Sequence, residues 1–470
     1  MAEKTEKKEL IIIGAGPGGY AAAFRAADLG TKVTLIDPEA NPGGVCLYRG
    51  CIPSKALLHL AKVKQEALAA AEWGMSFSEP EIDVKKIRKW KDKVVEKLTS
   101  GLGQLSKGKK IEYIKGNAEF VSDRKIKIQP AESDAYETEF ENLILATGSV
   151  NVSLPGIEID HKKIIDSKDA LDLKDIPESM LVIGGGYIGL ELGSVYAAIG
   201  TKVSIAEMTP GFLPGADRDL VKIFEKEHPF EELYFNTKVE KVEIKKMKVK
   251  VSLKGKDEQS EEKKFDKVLV AVGRRPNTES LSLDKAGVEV DEKGFIKVNV
   301  KRNTSMKNIY AIGDLTGEPL LAHKANYEGK IAAEVIAGIK GAAYDPVSIP
   351  AVVFTNPQLA WCGLQEEQAK SKNINFKILK FPWNASGRAV AVGNRNGITK
   401  ILVESKTGRI LGGGVAGKNA GSLIPEISLA IEMASTAEDL ALSIHPHPTL
   451  SETIMESAEI FSGSPTHISK

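Results

Sequence analysis

One feature constrains this chain more than any other: a pattern that occurs twice. Residues 10–13 form an apolar run, LIII, that meets GAGPGG at 14–19. An alanine-rich helical stretch follows as far as Gly30, and KVTLID at 32–37 reads as a second strand. Residues 180–207 repeat it: MLVIGGG, then YIGLELGSVYAAIG, then KVSIAE. The interval from Gly14 to Asp37 equals that from Gly184 to Glu207. Strand, glycine turn, helix and strand, closed by an acid, is the βαβ unit of dinucleotide binding, and two in one chain imply two such domains.

Each residue type has a physical job. Gly14 permits the tight turn, Gly16 lets backbone approach a pyrophosphate, and Gly19 lets the helix pack closely. Gly184, Gly186 and Gly189 repeat the set. The helix N-termini offer amide donors and a favourable dipole to phosphates. Asp37 and Glu207 are placed to accept ribose hydroxyl hydrogens. Glu207 is followed by Met208, Thr209 and Pro210, with no arginine to receive an extra phosphate, so the second unit should prefer NAD to NADP. Two dinucleotides in one chain make a flavin and a nicotinamide the natural pair, since hydride passes between them. Asp314, ending NIYAIGD, is placed to bind a flavin hydroxyl; an ordinary strand-end cap is the plainer alternative.

With 470 residues the chain is long enough for about two to four domains. A net charge of +1 gives no sign of nucleic-acid binding. The lysine-rich run at 238–256 reads as a solvated strand pair. No apolar run is long enough for a membrane span. Residues 1–10 are charged and carry no signal-peptide core, so a cytoplasmic protein is expected. A C-terminal α/β region is expected from residue 347, with helices near 422–433 and 451–460. Earlier helices are expected at 54–71 and 84–105.

Only 3 cysteines are present. Cys46 and Cys51 lie in GGVCLYRGCIPSK, wider apart than the usual CxxC redox spacing, yet one distorted helical turn can bring their sulfurs together. They follow the second strand of the first unit, at the sheet edge where a cofactor's reactive end should lie. A helix starting just beyond Pro53 and Ser54 would lower the pKa of Cys51, and Lys55 would add positive charge near a flavin. No further soft ligands complete a metal set, so no metal is expected. Cys362, isolated in LAWCGL, reads as packing. Near the C-terminus, His447 and Glu452 in IHPHPTLSE could form a base oriented by a carboxylate, which a dithiol substrate would require. A capping turn with an incidental histidine is the plainer reading of that motif alone.

These motifs closely resemble the dihydrolipoamide dehydrogenase family, the flavoprotein (E3) component of 2-oxoacid dehydrogenase complexes, within the class I pyridine nucleotide-disulfide oxidoreductases. GAGPGG, GGVCLYRGCIPSK, LILATGS, GGGYIGLELG, VGRRPN, IGD, LLAHKANYEG and HPHPTLSE stand in family order over nearly the whole chain. The resemblance implies an α/β protein with two Rossmann-like dinucleotide-binding domains and a C-terminal α/β dimerisation domain. The division would be 1–149 for FAD, 150–276 for NAD, 277–346 as a central domain completing the FAD site, and 347–470 as the interface of a homodimer. It implies FAD contacts from Gly14, Gly16, Gly19, Asp37, Lys55 and Ala118, from Thr147, Gly148 and Ser149, and from Asp314, Ala322 and His323. It implies NAD contacts from Gly184, Gly186, Gly189, Glu207, Val239 and Gly273, and makes Glu191 the partner of Lys55.

The implied chemistry is a relay. His447 of the opposite subunit, oriented by Glu452, deprotonates dihydrolipoamide. The substrate attacks Cys46, Cys51 is left as a thiolate against the flavin, and electrons leave through FAD to NAD+. The substrate would be carried by a lipoyl-bearing E2 acyltransferase or a glycine cleavage H protein, since no lipoyl domain precedes Leu10. Asp37 stands where the family more often has Glu, and Val45 and Tyr48 where it usually has Thr and Asn. The bulk of Tyr48 is expected to alter access to the cysteines. A glutathione reductase would carry basic residues after Glu207, and a mercuric reductase a C-terminal cysteine pair; SGSPTHISK has none. A non-catalytic nucleotide-binding module would have no reason to keep both cysteines, Lys55, His447 and Glu452 together. Diaphorase activity is an expected side reaction.

Overall fold

The computed structural model describes residues 7–469; the first six residues of the charged N-terminal stretch and residue 470 lie outside the described residues. The duplicated pattern becomes a duplicated architecture. In the first sheet, Lys8–Ile13 runs parallel to Val33–Asp37 on one side and to Tyr136–Leu145 on the other. Glu112–Ser122 and Ile309–Ala311 extend it, also parallel. In the second sheet, Ser179–Ile183 runs parallel to Lys202–Ala206 and Lys267–Val270, with Glu232–Tyr234 and Ile164–Ile165 outside them. Their central strands are apolar without alternation, as burial on both faces demands.

Each sheet also carries an antiparallel meander. Glu112–Ser122, Lys125–Pro130 and Tyr136–Leu145 form the first. Lys238–Lys245, Lys248–Lys254 and Ser260–Phe265 form the second. The lysine-rich run is therefore two strands of a three-stranded meander. Val249, Val251 and Leu253 alternate into the core while the lysines face outward.

The two units meet where their strands end. Ser149–Asn151 pairs antiparallel with Arg274–Pro276. Arg274 crosses this ribbon, donating to Ser149 Oγ at 2.8 Å and Asn151 Oδ1 at 2.7 Å. The C-terminal region is an antiparallel five-stranded sheet, ordered Ala351–Val353, Gln358–Gly363, Ile410–Gly417, Ile398–Glu404, Phe376–Pro382. Ala420–Glu432 and Glu452–Ser462 pack on it. The fold is thus two Rossmann-like dinucleotide units with a C-terminal α/β domain. Among the described residues no helix is long and apolar enough to cross a membrane.

Buried charge ties the parts together. Lys400, 1% exposed on the C-terminal sheet, donates to Asp217 at 2.7 Å and Asp219 at 3.1 Å in the second unit, and also pairs with Glu366. Removing Lys400 would take the shared cation from three carboxylates, while Lys400 itself, away from water, depends on them for its charge.

Helix boundaries moved slightly from the sequence reading. The helix after the cysteines begins at Cys51, not Ser54, and runs to Ala69. Pro53 does not delay it, because a first-turn N–H has no intrahelical acceptor to lose. Cys362 is 1% exposed, and burial pushes its thiol up to about 12, as a packing residue requires.

Candidate active site

The glycine turns behave as the chemistry requires. Gly14 has φ +101°, and a Cβ there would lie 2.4 Å from Ala146 O; Gly184 has φ +111° and the same 2.4 Å clash with Ala271 O. Gly19 and Gly189 are packing positions: a Cβ on either would strike the carbonyl of its own turn, at 1.8 and 2.1 Å. At the acids, Ala15 N–H donates to Asp37 Oδ2 at 2.6 Å and Glu39 N–H to Oδ1 at 2.9 Å. Gly185 N–H donates to Glu207 Oε2 at 2.7 Å and Thr209 N–H to Oε1 at 2.8 Å. Both carboxylates are thereby aimed across their turn. Asp37 is 7% exposed, and burial raises its pKa despite these bonds.

A continuous cavity of about 2790 Å³ joins the two turns. Typical single-ligand pockets hold about 300–1,000 Å³, so this one has room for more than one cofactor. Gly14, Gly16, Asp37, Ala118, Thr147 and Gly148 line the first half. Ser149, Asp314, Ala322 and His323 close it. Gly184, Gly186, Glu207 and Gly273 line the second. A Cβ at Gly186 would meet nothing within 4 Å, and one at Gly16 only Gly44 Cα at 3.9 Å, so each turn leaves space for a pyrophosphate in front of its helix amides. The residues present therefore fit two dinucleotides. Val239 is not brought to this wall; its side chain packs in the apolar cluster between the second sheet and its meander.

Cys46, Cys51, Lys55 and Glu191 lie on the same cavity, between the two halves. Cys46 sits in the short helix Gly44–Arg49 and Cys51 opens the next, Cys51–Ala69. Gly50 joins them. A Cβ there would lie 2.8 Å from Val45 O and 3.2 Å from Cys46 Cα, so only glycine lets the chain fold back far enough to bring the thiols together. Both cysteines are free thiols here. They are unequal. The Cys46 thiol donates to Cys51, which with burial pushes Cys46 far up. That same hydrogen bond brings Cys51 down to about 7, against the opposing effect of burial and with help from Lys55. Lys55 Nζ lies 2.7 Å from Glu191 Oε2, and Glu191 is 3% exposed.

His447 and Glu452 are not brought to the cysteines within one chain. They form their own dyad, with His447 Nδ1 2.8 Å from Glu452 Oε1 and Thr449 N–H donating to Oε2 at 2.6 Å. Burial would raise Glu452, but these two partners outweigh it and hold its carboxyl below the usual range. A carboxylate on Nδ1 takes that ring hydrogen and leaves Nε2 free to accept a proton. The His447 side chain is 76% exposed, next to a row of uncovered apolar residues on the C-terminal domain: Leu429, Met433, Leu442 and Ile444, 62 to 98% exposed. Such a patch marks an interface.

Tyr48 departs from its expected effect. Its hydroxyl donates to Asn41 O at 3.0 Å and takes Asn41 N–H at 3.2 Å, and it lies outside the cavity lining. It braces the loop before the cysteines and does not crowd them. Three contributors escaped the sequence reading. Gly50 looks like an incidental glycine. Glu328, 0% exposed, holds the turn before Asp314 by accepting from Gly313 N–H, with Arg302 and Lys324 each 3.0 Å from its carboxylate. Phe354 touches both Lys55 and Glu191. Glu328 stands inside the LLAHKANYEG motif, but its role follows from its burial, and burial of an acid is invisible in sequence.

Comparison with known proteins decides the family. Residues 8–329 match the model for pyridine nucleotide-disulphide oxidoreductase, and residues 349–458 match its dimerisation domain. Dihydrolipoyl dehydrogenase of Vibrio parahaemolyticus is 45% identical over 466 residues, covering 99% of this chain and 98% of the relative. The protein of that name from Buchnera aphidicola subsp. Acyrthosiphon pisum is 47% identical over 461 residues, covering 98% and 97%. The chain belongs to the dihydrolipoyl dehydrogenase family of pyridine nucleotide-disulphide oxidoreductases. Among solved structures, LpdA from Mycobacterium tuberculosis superposes with TM-score 0.89 at 26% identity, covering 96% of this chain and 99% of that one. The HOCl-induced flavoprotein disulfide reductase RclA from Escherichia coli, as its Cu(II) complex, gives 0.86 at 28%, covering 97% and 99%. Members of this family are FAD- and NAD-dependent enzymes, and the dimerisation-domain match makes the assembly a homodimer.

Proposed function

We propose that this chain oxidises protein-bound dihydrolipoamide to lipoamide and reduces NAD+, with Cys46 facing the substrate and Cys51 facing the flavin. The observation that carries the reading is that Cys46 and Cys51 share one cavity with both glycine turns, with Cys51 opening the helix that carries Lys55. Cys51 at a helix N-terminus, beside Lys55, is the better leaving group. In the oxidised enzyme, Nε2 of the partner subunit's His447 takes a proton from the substrate dithiol. The resulting thiolate forms a bond to Cys46 sulfur, and the Cys46–Cys51 bond breaks with Cys51 leaving as thiolate. The second substrate thiol then displaces Cys46, its proton passing to the departing Cys46 sulfur as the lipoyl ring closes. Glu452 keeps the His447 ring oriented and steadies its charged form. FAD, when bound, would supply the hydride chemistry that links the cysteine pair to NAD+. Gly14, Gly16, Asp37, Ala118, Thr147, Gly148, Ser149, Asp314, Ala322 and His323 are the residues we assign to it. Gly184, Gly186, Glu207 and Gly273 are assigned to NAD. Gly19 and Gly189 serve through packing.

The same reading divides the chain at 1–149, 150–276, 277–346 and 347–470, supported by the ribbon of Ser149–Asn151 with Arg274–Pro276 at two of the boundaries. It places the protein in the cytoplasm, supported by the small number of cysteines, 3 in 470 residues. It takes a lipoyl-bearing E2 acyltransferase or H protein as partner, supported by the family.

The test is NAD+ reduction by dihydrolipoamide, with NADP+ and glutathione as comparisons. Cys46→Ser should stay yellow and lose dithiol oxidation. His447→Gln should lose roughly 10²–10⁴-fold in that assay, the usual worth of a positioned base, while NADH oxidation by an artificial acceptor is largely kept. Equal losses in both assays would make His447 structural and sink its role as base.

A further inference from the structure

Phe354 follows the strand Ala351–Val353, inside the region matched by the dimerisation domain. Its backbone N–H donates to Glu191 Oε1 at 3.0 Å, and its ring centroid lies 4.7 Å from Lys55 Nζ. The other Glu191 oxygen takes Ser54 Oγ at 2.9 Å and Lys55 Nζ at 2.7 Å. One residue of the C-terminal domain thus holds both members of the ion pair, the acid with its backbone and the base with its ring.

We propose that Phe354 is a positioning residue of the redox centre: its ring fixes the Lys55 ammonium, and its N–H fixes the Glu191 carboxylate, so that positive charge stays at the Cys51 end of the redox helix. The proposal rests on the reading of Lys55 as the cation that serves Cys51. An ammonium within about 6 Å of a ring centroid is drawn to the negative face of the ring, which an aliphatic side chain of equal volume cannot do. Lys55 is the less enclosed member of the pair, its side chain 33% exposed, whereas Glu191 is buried and is also held by Ser54 Oγ and the Phe354 N–H. The C-terminal domain also grips the far part of the same helix. Asn356 Nδ2 donates to Gln65 Oε1 at 3.0 Å, and Lys418 Nζ lies 2.8 Å from Glu66 Oε1. These points are about 15 Å from Lys55 along the helix axis. Grips at both ends fix the angle at which the Phe354 ring meets Lys55. The charge of Lys55 matters to both sulfurs, favouring the thiolate at each.

The test titrates the two-electron-reduced holoenzyme and follows the long-wavelength absorbance of the Cys51 thiolate against the flavin. The groups facing Cys51 are Cys46, Lys55 and Glu191, with Tyr20 and Tyr187 in electrostatic reach, and the Phe354 variants leave them in place. Phe354→Leu keeps the N–H and removes the ring. Its midpoint should rise by about half a pH unit, a roughly threefold loss of thiolate below the midpoint. Phe354→Tyr should restore the parent midpoint. Phe354→Met gives the same reading should the Leu variant shed its flavin. Lys55→Met separates the two claims. If it raises the midpoint and Phe354→Leu does not, the clamp is wrong and the reading of Lys55 stands. If neither moves it, both are wrong. A rise in Phe354→Leu that Phe354→Tyr fails to reverse would reduce Phe354 to packing and overturn the proposal.

Discussion

The two dinucleotide units share a parallel βαβ core, a glycine turn and an acid, yet they are finished differently. In the first, Asp37 is 7% exposed, and the turn is backed by Gly44, where a Cβ would sit 2.5 Å from Gly16 Cα. Tyr48 and Tyr113 hydroxyls hold the loop after Asp37 through Asn41 and Glu39, and Arg49 pairs with Glu39. The turn helix Pro17–Asp28 is itself locked against Ala322–Ile336, so closely that a Cβ on Gly329 would lie 2.3 Å from Gly18 O. In the second, Gly186 faces open space and Met208 beside Glu207 is 69% exposed. The first unit is built to keep its cofactor and the second to exchange it. The motif sets which ligand class binds, while the segments packed around it set how long the ligand stays.

The largest expected effect comes from breaking the closed unit where the open one has no such backing. Gly44 has φ +56°, and its Cβ would strike backbone, so Gly44→Ala should cost about 2 kcal/mol or more and lower flavin retention roughly tenfold or beyond. Gly186→Ala adds a methyl into space and should stay fully yellow, raising the KM for NAD+ several-fold. Flavin-to-protein absorbance ratios after desalting decide the matter. Equal flavin loss in both variants would remove the distinction between the units.

A smaller effect is expected at the open acid. Glu207 is fixed by Gly185 and Thr209 amides, which leaves its outer edge for a ribose. Glu207→Gln should raise the KM for NAD+ about tenfold, the worth of one charge-assisted hydrogen bond, and narrow the preference over NADP+. Unchanged selectivity between the two nucleotides would assign the preference to another residue. Flavin content should not change, in contrast to Gly44→Ala.

How much of this was legible depends on whether a residue acts through its neighbours in sequence or in space. The glycine turns, the terminal acids and the cysteines act locally, so spacing alone exposes them. Gly50 is also local, but its importance lies in a 3.2 Å approach to Cys46 Cα that no motif announces. The pairing of Lys55 with Glu191 joins two units and came only through resemblance. Phe354 acts through long-range contact, and nothing beside it in sequence marks it, while Glu328 stands inside LLAHKANYEG but shows its role only through its burial and its reach to Gly313 and Arg302. Tyr48 shows the converse: a conspicuous substitution whose side chain turns away from the thiols to bind Asn41.

The smallest effect tests whether closure of the first unit has an electrostatic cost. Burial raises the pKa of Asp37 in the folded protein, against the amides of Ala15 and Glu39. A raised folded-state value means that stability is complete below the ordinary 3.8, where the carboxyl is neutral in both states, and is lost as pH rises through the folded value. Ionised Asp37 therefore burdens the flavin-free protein at neutral pH. Asp37→Asn should melt higher than the parent apoprotein at pH 7, and the gap should close as pH falls below the ordinary value. With flavin bound the order should reverse or vanish, because a ribose hydroxyl then gives the carboxylate a donor that the amide cannot use as well. Paired melting curves with and without flavin measure this directly. A variant that melts lower than the parent at pH 7 in the apo form would show that the two amide bonds outweigh burial, and that the closed unit accommodates its acid without cost.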